Sequence, residues 1–238
     1  MRKPVIFVCG SDAIKGPGGH QTLVRATARA ARNAGFDPRV FCAARKSSVV
    51  EADFGVVHYV ASPFRTVRNT TARLHMGFIS SGIRQFLKDR TGPHSLHGFG
   101  IWGWAAIDVS KKLQRAGVPA TAIISVYDTI DHETSAPVRR LAPANGWRKR
   151  LRSQRRFMWT RLIMRRTERY AFTRARLLMM NYESVRRLIR DSYGDDLELR
   201  IMPYSSETAF VNSGGAHTGS SAAPEPIVAL PNQDAPLI

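Results

Sequence analysis

The sequence predicts an α/β domain, a Rossmann-like parallel sheet with helices on both faces. Three observations predict it. Short β-branched runs alternate with helical patterns along most of the chain, the rhythm of strands joined by helical crossovers. The apolar run at residues 5–9 passes through a loop holding Gly10, Gly16, Gly18 and Gly19 into an alanine-rich amphipathic stretch at 23–34. Gly35, Gly117 and Gly194 fall where helix C-caps belong, because glycine takes the left-handed conformation that ends a helix.

In order along the chain, strand-like runs occupy 5–9, 39–42, 56–60, 95–97, 121–126, 176–180 and 198–202. Helix-like stretches occupy 22–34, 70–89, 102–116, 151–172 and 183–193. In an open sheet of this kind ligands lie beyond the C-terminal ends of the strands. Those ends are the 10–20 loop, the His97-Gly98 turn, the Tyr127-Asp128 turn and the Asn181-Tyr182-Glu183 turn. From Asn212 to Gln233 the composition shifts to Ser, Gly, Ala and Pro with little apolar periodicity, as in a linker, and the chain closes on Ala235-Pro-Leu-Ile238. The expected organisation is a domain at 1–211 followed by a linker and the beginning of a further strand at 212–238.

The chain has 238 residues, 43% of them hydrophobic, enough for a substantial core. Its net charge of +18 predicts attraction to phosphates, nucleic acid or anionic headgroups. The two cysteines, Cys9 and Cys42, lie near strand ends without metal-ligand spacing, and are expected as buried reduced thiols in a reducing, cytoplasmic compartment. The apolar run after Met-Arg-Lys is too short for a signal-peptide core, and no stretch has the length of a membrane span.

Several motifs are absent. After Gly16 and Gly18 the sixth position is Gln21, so the dinucleotide fingerprint fails; no Gly-Lys-Ser/Thr and no G-x-S-x-G occur. No cofactor and no metal are expected. The glycine loop has two readings: backbone N–H groups and a helix N-terminus approaching an anion, or a turn that packs helix on sheet. His20, at the start of that helix, could meet an anion. Asp12 reads as a turn former, and Glu183 as a residue favoured by the dipole of the following helix.

Residues 139–176 are dense in arginine, with Arg148, Lys149, Arg150, Arg152, Arg155, Arg156, Arg161, Arg165, Arg166, Arg169 and Arg176 set against Glu168. Leu151, Met158 and Leu162, joined by Trp159 and Ile163, form an apolar helical face, so one face is expected to pack and the other to be cationic. The stretch reads as a solvated charged face or as an interfacial helix drawn to anionic lipid. Nucleic acid is the weakest partner class, because stacking aromatics on a sheet, zinc spacing and a helix-turn-helix are missing.

Four segments taken together resemble the N-terminal half of a family 4 glycosyltransferase of GT-B architecture. They are Gly18-Gly-His-Gln-Thr-Leu-Val24 with Gly35-Phe-Asp-Pro-Arg-Val-Phe41; His94-Ser-Leu-His-Gly-Phe-Gly-Ile-Trp-Gly103; Ala122-Ile-Ile-Ser-Val-Tyr-Asp128; and residues 166–184 with Pro203-Tyr-Ser205 and Phe210. The resemblance spans residues 4 to about 210. It implies retaining transfer of a sugar from a nucleotide-sugar donor to a glycan or lipid-linked acceptor. It also implies that Gly18 and Gly19 approach the donor phosphates or the acceptor, that His97 and Gly98 line the acceptor cleft, and that Tyr127 and Asp128 stand where the family often has a His-Asp pair whose His touches the transferred sugar. Two departures stand out: Tyr127 replaces that histidine, and Pro203-Tyr-Ser replaces a usual Pro-Asn-Gly. From the residues alone, Tyr127 is equally a packed strand-end aromatic and His97 a structural histidine. The family's donor-binding half, with its paired glutamates, would follow residue 238, so the chain by itself is expected to be inactive or to bind acceptor only. The other reading is a non-catalytic basic α/β module that binds an anionic surface or partner, peripheral to the inner face of a membrane.

Overall fold

The computed structural model describes residues 2–16, 18–64, 67–133, 151, 154–155 and 157–202. They build one eight-stranded sheet of β1 (Pro4–Val8), β2 (Asp37–Ala44), β3 (Ser48–Ala52), β4 (Gly55–Ala61), β5 (His94–Phe99), β6 (Ala120–Val126), β7 (Leu177–Met180) and β8 (Leu199–Ile201). The spatial order is β3-β4-β2-β1-β5-β6-β7-β8. Every pairing is parallel except β3 with β4. Order reverses at β1, which lies between β2 and β5, so the switch-point crevice of an open α/β sheet opens above the ends of β1 and β5.

The strand period of two sorts side chains onto two faces. Ile6, Val8, Phe41 and Ala43 enter one core, while Phe7, Cys9, Val40 and Cys42 enter the other. Helix α1 (Gly19–Asn33) covers the second face through Val24 and Ala28. Helices α2 (Ala72–Leu87), α3 (Gly103–Arg115), α4 (Arg165–Phe172) and α5 (Glu183–Tyr193) contribute their buried residues to the first. The predicted Rossmann-like sheet with helices on both faces is therefore observed.

The glycines end helices as their conformation allows. Gly35 has φ 86°, with its N–H on Arg32 O and the Phe36 N–H on Ala31 O. Gly117, at φ 76°, repeats the arrangement after α3, with the Val118 N–H reaching Leu113 O. Both are the double closure in which a left-handed glycine turns the chain back onto the last carbonyls.

Three features differ from the sequence expectation. Strand β3 was not anticipated: Ser48–Ala52 pairs antiparallel with β4, Ala52 opposite Gly55. It is an edge strand whose Val49 is 63% exposed, so no buried alternation marks it. Strand β5 runs on to Phe99, which places the strand-end turn at Phe99-Gly100 and leaves His97 and Gly98 inside the sheet. The third concerns the arginine-rich helix. Its packed face is Thr160, Met164, Thr167, Glu168, Ala171 and Phe172, whereas Leu151, Phe157, Met158 and Leu162 are exposed. Of the face expected from the sequence Trp159 does pack, half-buried against the core with Nε1 donating to Thr70 O at 2.7 Å, and a π turn runs through Thr160–Met164. Residues 134–150 and 203–238, including Arg148, Lys149, Arg150 and the expected linker and terminal strand, lie outside the described residues.

Candidate functional site

The C-terminal ends of β1, β5 and β6 meet around the first turn of α1. Cys9 continues β1, its N–H bonded to Phe41 O. At Gly10 a Cβ would fall 1.8 Å from the Trp102 indole, so only glycine lets that ring close the crevice. Trp102 Nε1 then donates to Asn69 Oδ1 at 2.9 Å, and Asn69 Nδ2 donates to Glu133 Oε2 at 3.0 Å. The glycine loop is pinned at two places. Asp12 Oδ1 accepts from the Ile14 and Lys15 N–H groups and from the Tyr59 hydroxyl at 2.7 Å, which makes Asp12 a turn former. Arg25 Nη1 donates to Ala13 O at 3.2 Å and to Gly16 O at 3.4 Å.

Gly18, with φ 133°, leads into α1. No side chain caps that helix, and its first turn holds no acidic residue, so the partial positive charge of the N-terminus is uncompensated. Among the described residues a Cβ at Gly19 would meet no atom within 4 Å, which leaves open space above the helix end.

His20 and Tyr127 come together across the crevice. The Tyr127 hydroxyl and His20 Nδ1 are in hydrogen-bond contact, with the rings edge to face at 5.4 Å. Burial pushes the Tyr127 phenol well above its ordinary pKa, so it stays protonated, and Nδ1 is the acceptor that its hydroxyl has. That assignment leaves the proton on Nε2, which is buried and lies beside the Cys9 thiol. Gly100, at φ 54°, lies under the same hydroxyl, 3.3 Å from the place of a Cβ. Asp128, next in the chain, accepts the Thr129 N–H at 2.7 Å and shapes the turn.

His97 and Gly98 lie elsewhere. His97 is buried in the α1 face of the sheet, stacked on Phe99 at 4.6 Å, with Nε2 2.9 Å from Ser125 Oγ. Burial pushes its pKa down to about 3, so the ring is neutral. A Cβ at Gly98 would come 2.2 Å from Gly103 Cα, and this glycine gives the start of α3 its close approach to β5. Glu183 pairs with Arg186 at 2.7 Å on α5, and Tyr182 is 60% exposed.

Sequence reasoning did not single out Glu168 as a site residue. It is 2% exposed on α4, accepts the Ile130 N–H at 2.9 Å and contacts the Tyr193 hydroxyl. Through Ile130 it holds the segment that follows Tyr127 and Asp128. Burial pushes its carboxyl up to about 8. Its signal in the sequence was its isolation, a single acid among many arginines. Among the described residues no group of His, Cys, Asp and Glu is placed to hold a metal, and no helix is long and apolar enough to cross a membrane.

No protein-family model and no curated protein matches the chain. Among solved structures it is similar to a sucrose-phosphate synthase from Thermosynechococcus elongatus, at 12% identity and TM-score 0.62 over 87% of this chain and 49% of that one. A portion of the same synthase aligns at TM-score 0.52 and 12% identity, covering 90% of this chain and 96% of that portion. The catalytic domain of starch synthase IV from Arabidopsis thaliana, bound to ADP and acarbose, aligns at TM-score 0.53 and 8% identity over 87% and 52% of the two chains. The likeness is one of fold: a glycosyltransferase-like α/β architecture. The chain spans about half the length of the two synthases it matches.

Proposed function

We propose that the chain is the acceptor-side half of a glycosyltransferase that moves a sugar from a nucleotide-activated donor to a glycan or lipid-linked acceptor. One observation carries the reading. An uncapped helix start and open space over Gly19 meet at the switch point of the sheet, next to the contact of His20 with Tyr127, in a fold shared with a sucrose-phosphate synthase and a starch synthase. The helix N-terminus favours the anionic part of a donor or acceptor, with the His20 imidazole in its first turn. Tyr127 positions that imidazole by occupying Nδ1. Gly18 admits the turn, and Asp128 lies at the rim beside Tyr127.

These groups bind and orient; the reading assigns none of them the stabilisation of charge on the transferring sugar and leaving diphosphate. The chain alone is therefore expected to bind without turnover. Saturation-transfer NMR with ADP, UDP and their glucose esters tests the binding half. Wild-type chain gives transfer, while Gly19→Val, whose side chain enters open space, keeps the fold and weakens binding about tenfold or more, on the order of 1.4 kcal/mol. Unaltered binding in Gly19→Val, or none in the wild type, refutes the site. Sugar transfer catalysed by the isolated chain refutes the assignment of half a machine.

A second reading, attachment to an anionic membrane through the stretch from Arg148 to Arg176, is supported by the exposed face of the arginine-rich helix. Phe157 is 47% exposed, Met158 51% and Leu162 43%, and Arg155, Arg161, Arg165 and Arg166 surround them as exposed cations. Apolar side chains interleaved with arginine suit the boundary of headgroups and acyl chains. This reading is compatible with a lipid-linked acceptor, and it also describes the non-catalytic module.

A further inference from the structure

The opposite edge of the sheet, where the parallel strands begin, carries a second concentration of charge. A cleft of about 220 Å³ is lined there by Lys111 and Gln114 of α3, Ala120–Ala122 of β6, and Arg174 and Arg176 before β7. The Tyr170 ring gathers two of the cations, with Lys111 Nζ 5.4 Å and Arg174 Cζ 4.3 Å from its centroid. Partial burial, then the charges of Arg174 and Arg115, push the Lys111 pKa down.

Among the described residues no carboxylate offsets this crowding. Lys112, one residue on, is paired with Asp108 at 2.7 Å, and Arg29 with Asp53 at 2.6 Å. Among the described residues Lys111, Arg115, Arg174 and Arg176 have no carboxylate partner. The end of α3 does not absorb them either. Its last carbonyls are taken by backbone N–H groups, Ala116 on Lys112 O, Gly117 on Gln114 O and Val118 on Leu113 O. The cleft wall is fixed, because Ser110 Oγ and Gln114 Nε2 both donate to Ala120 O, at 3.1 and 2.7 Å.

We propose that this cleft binds a phosphate group, as a phosphomonoester or diphosphate, through Lys111, Arg174 and Arg176. Two guanidinium forks from the segment before β7 and an ammonium from α3 line the same cleft, which suits an anion with several oxygens and more than one charge. The volume is smaller than the roughly 300 Å³ at which drug-sized pockets begin, so it accommodates a phosphate and a few attached atoms. The anion comes from a soluble ester or from a lipid headgroup, and the recognising chemistry is the same. The site lies away from the crevice above β1 and β5 and does not depend on the sugar-transfer reading.

Thermal unfolding in inorganic phosphate, pyrophosphate or glycerol 3-phosphate, against sodium chloride at equal ionic strength, tests it. The wild type and Gly19→Val are expected to melt several degrees higher with the phosphates, because a ligand held by the folded state alone stabilises it. Made in Gly19→Val, which blocks the anion site proposed over α1, Lys111→Gln/Arg174→Gln/Arg176→Gln is expected to show no phosphate-specific rise. If that variant does not fold, Lys111→Gln alone reads the same effect as a tenfold or greater loss of affinity. Vesicles of phosphatidylcholine with phosphatidic acid identify the source: pelleting that Lys111→Gln reduces, and that glycerol 3-phosphate does not compete away, assigns the lipid, and the reverse assigns the soluble ester. A phosphate effect no greater than that of chloride, or one that survives in the substituted chains, overturns the proposal.

Discussion

Glu168→Gln is the most informative single substitution, because one buried proton links the candidate rim to stability. In the folded chain the carboxyl rises from an ordinary 4.5 to about 8. The folded state therefore holds a proton that the unfolded chain releases. Stability from this group is complete below about pH 4.5 and is lost as pH rises toward 8. The interior slope is about 1.4 kcal/mol per pH unit, and the whole range is worth on the order of 5 kcal/mol. Gln copies the protonated acid: its carbonyl accepts the Ile130 N–H, and its amide donates to the Tyr193 oxygen. His58, pushed down to about 4 by burial and then by Arg39, and His97, pushed down to about 3, act with the opposite sign below about pH 6.5. Both remain in the variant, so they cancel in the difference. Urea unfolding of the two chains between pH 6.5 and 9 should show the wild type losing about 2 kcal/mol relative to Glu168→Gln and then levelling off. Parallel curves would mean that Glu168 is ionised throughout, and the account of the brace behind Tyr127 and Asp128 would be wrong.

Other outcomes are specific to single contacts. Gly10→Ala forces a Cβ into the Trp102 indole and should cost about 1–3 kcal/mol, the range for overpacked cores, as read by chemical denaturation. Gly35→Ala keeps φ 86° only under strain and should cost about 1–2 kcal/mol; an unchanged midpoint would remove Gly35 from the account of how α1 ends. His97→Ala leaves a cavity and strands Ser125 Oγ, which should lower stability by about 2–4 kcal/mol while nucleotide binding at the rim, compared at matched folded fraction, is unchanged. Phe157→Ser with Met158→Ser should reduce pelleting with anionic vesicles without shifting the melting temperature, since both side chains are exposed; a large thermal loss would show that this face is packed.

Much of the fold was legible because its causes are local. The alternation of strand runs and helical runs, and glycines such as Gly35 and Gly117 that need positive φ, lie within a few residues of the element they define. The identities of the loops at the strand ends followed from the same reasoning, and His20 with Tyr127 was recoverable as a pair of candidates, though not as a contact. What lay across the sheet was not legible. His97 and Tyr127 both stand near strand ends in the sequence, yet one extra pair of residues in β5 places the first inside the core. On the arginine-rich helix the neighbours decided which apolar residues pack: Trp159 meets the core, whereas Met158 and Leu162 of the same expected face are exposed. Local backbone preference settles most of the elements and the helix ends that glycine closes, but neither the edge strand β3 nor the end of β5. Whether a side chain meets solvent, a ligand or Ser125 is settled only when distant segments are brought together, because burial and pairing are properties of the neighbours and not of the residue.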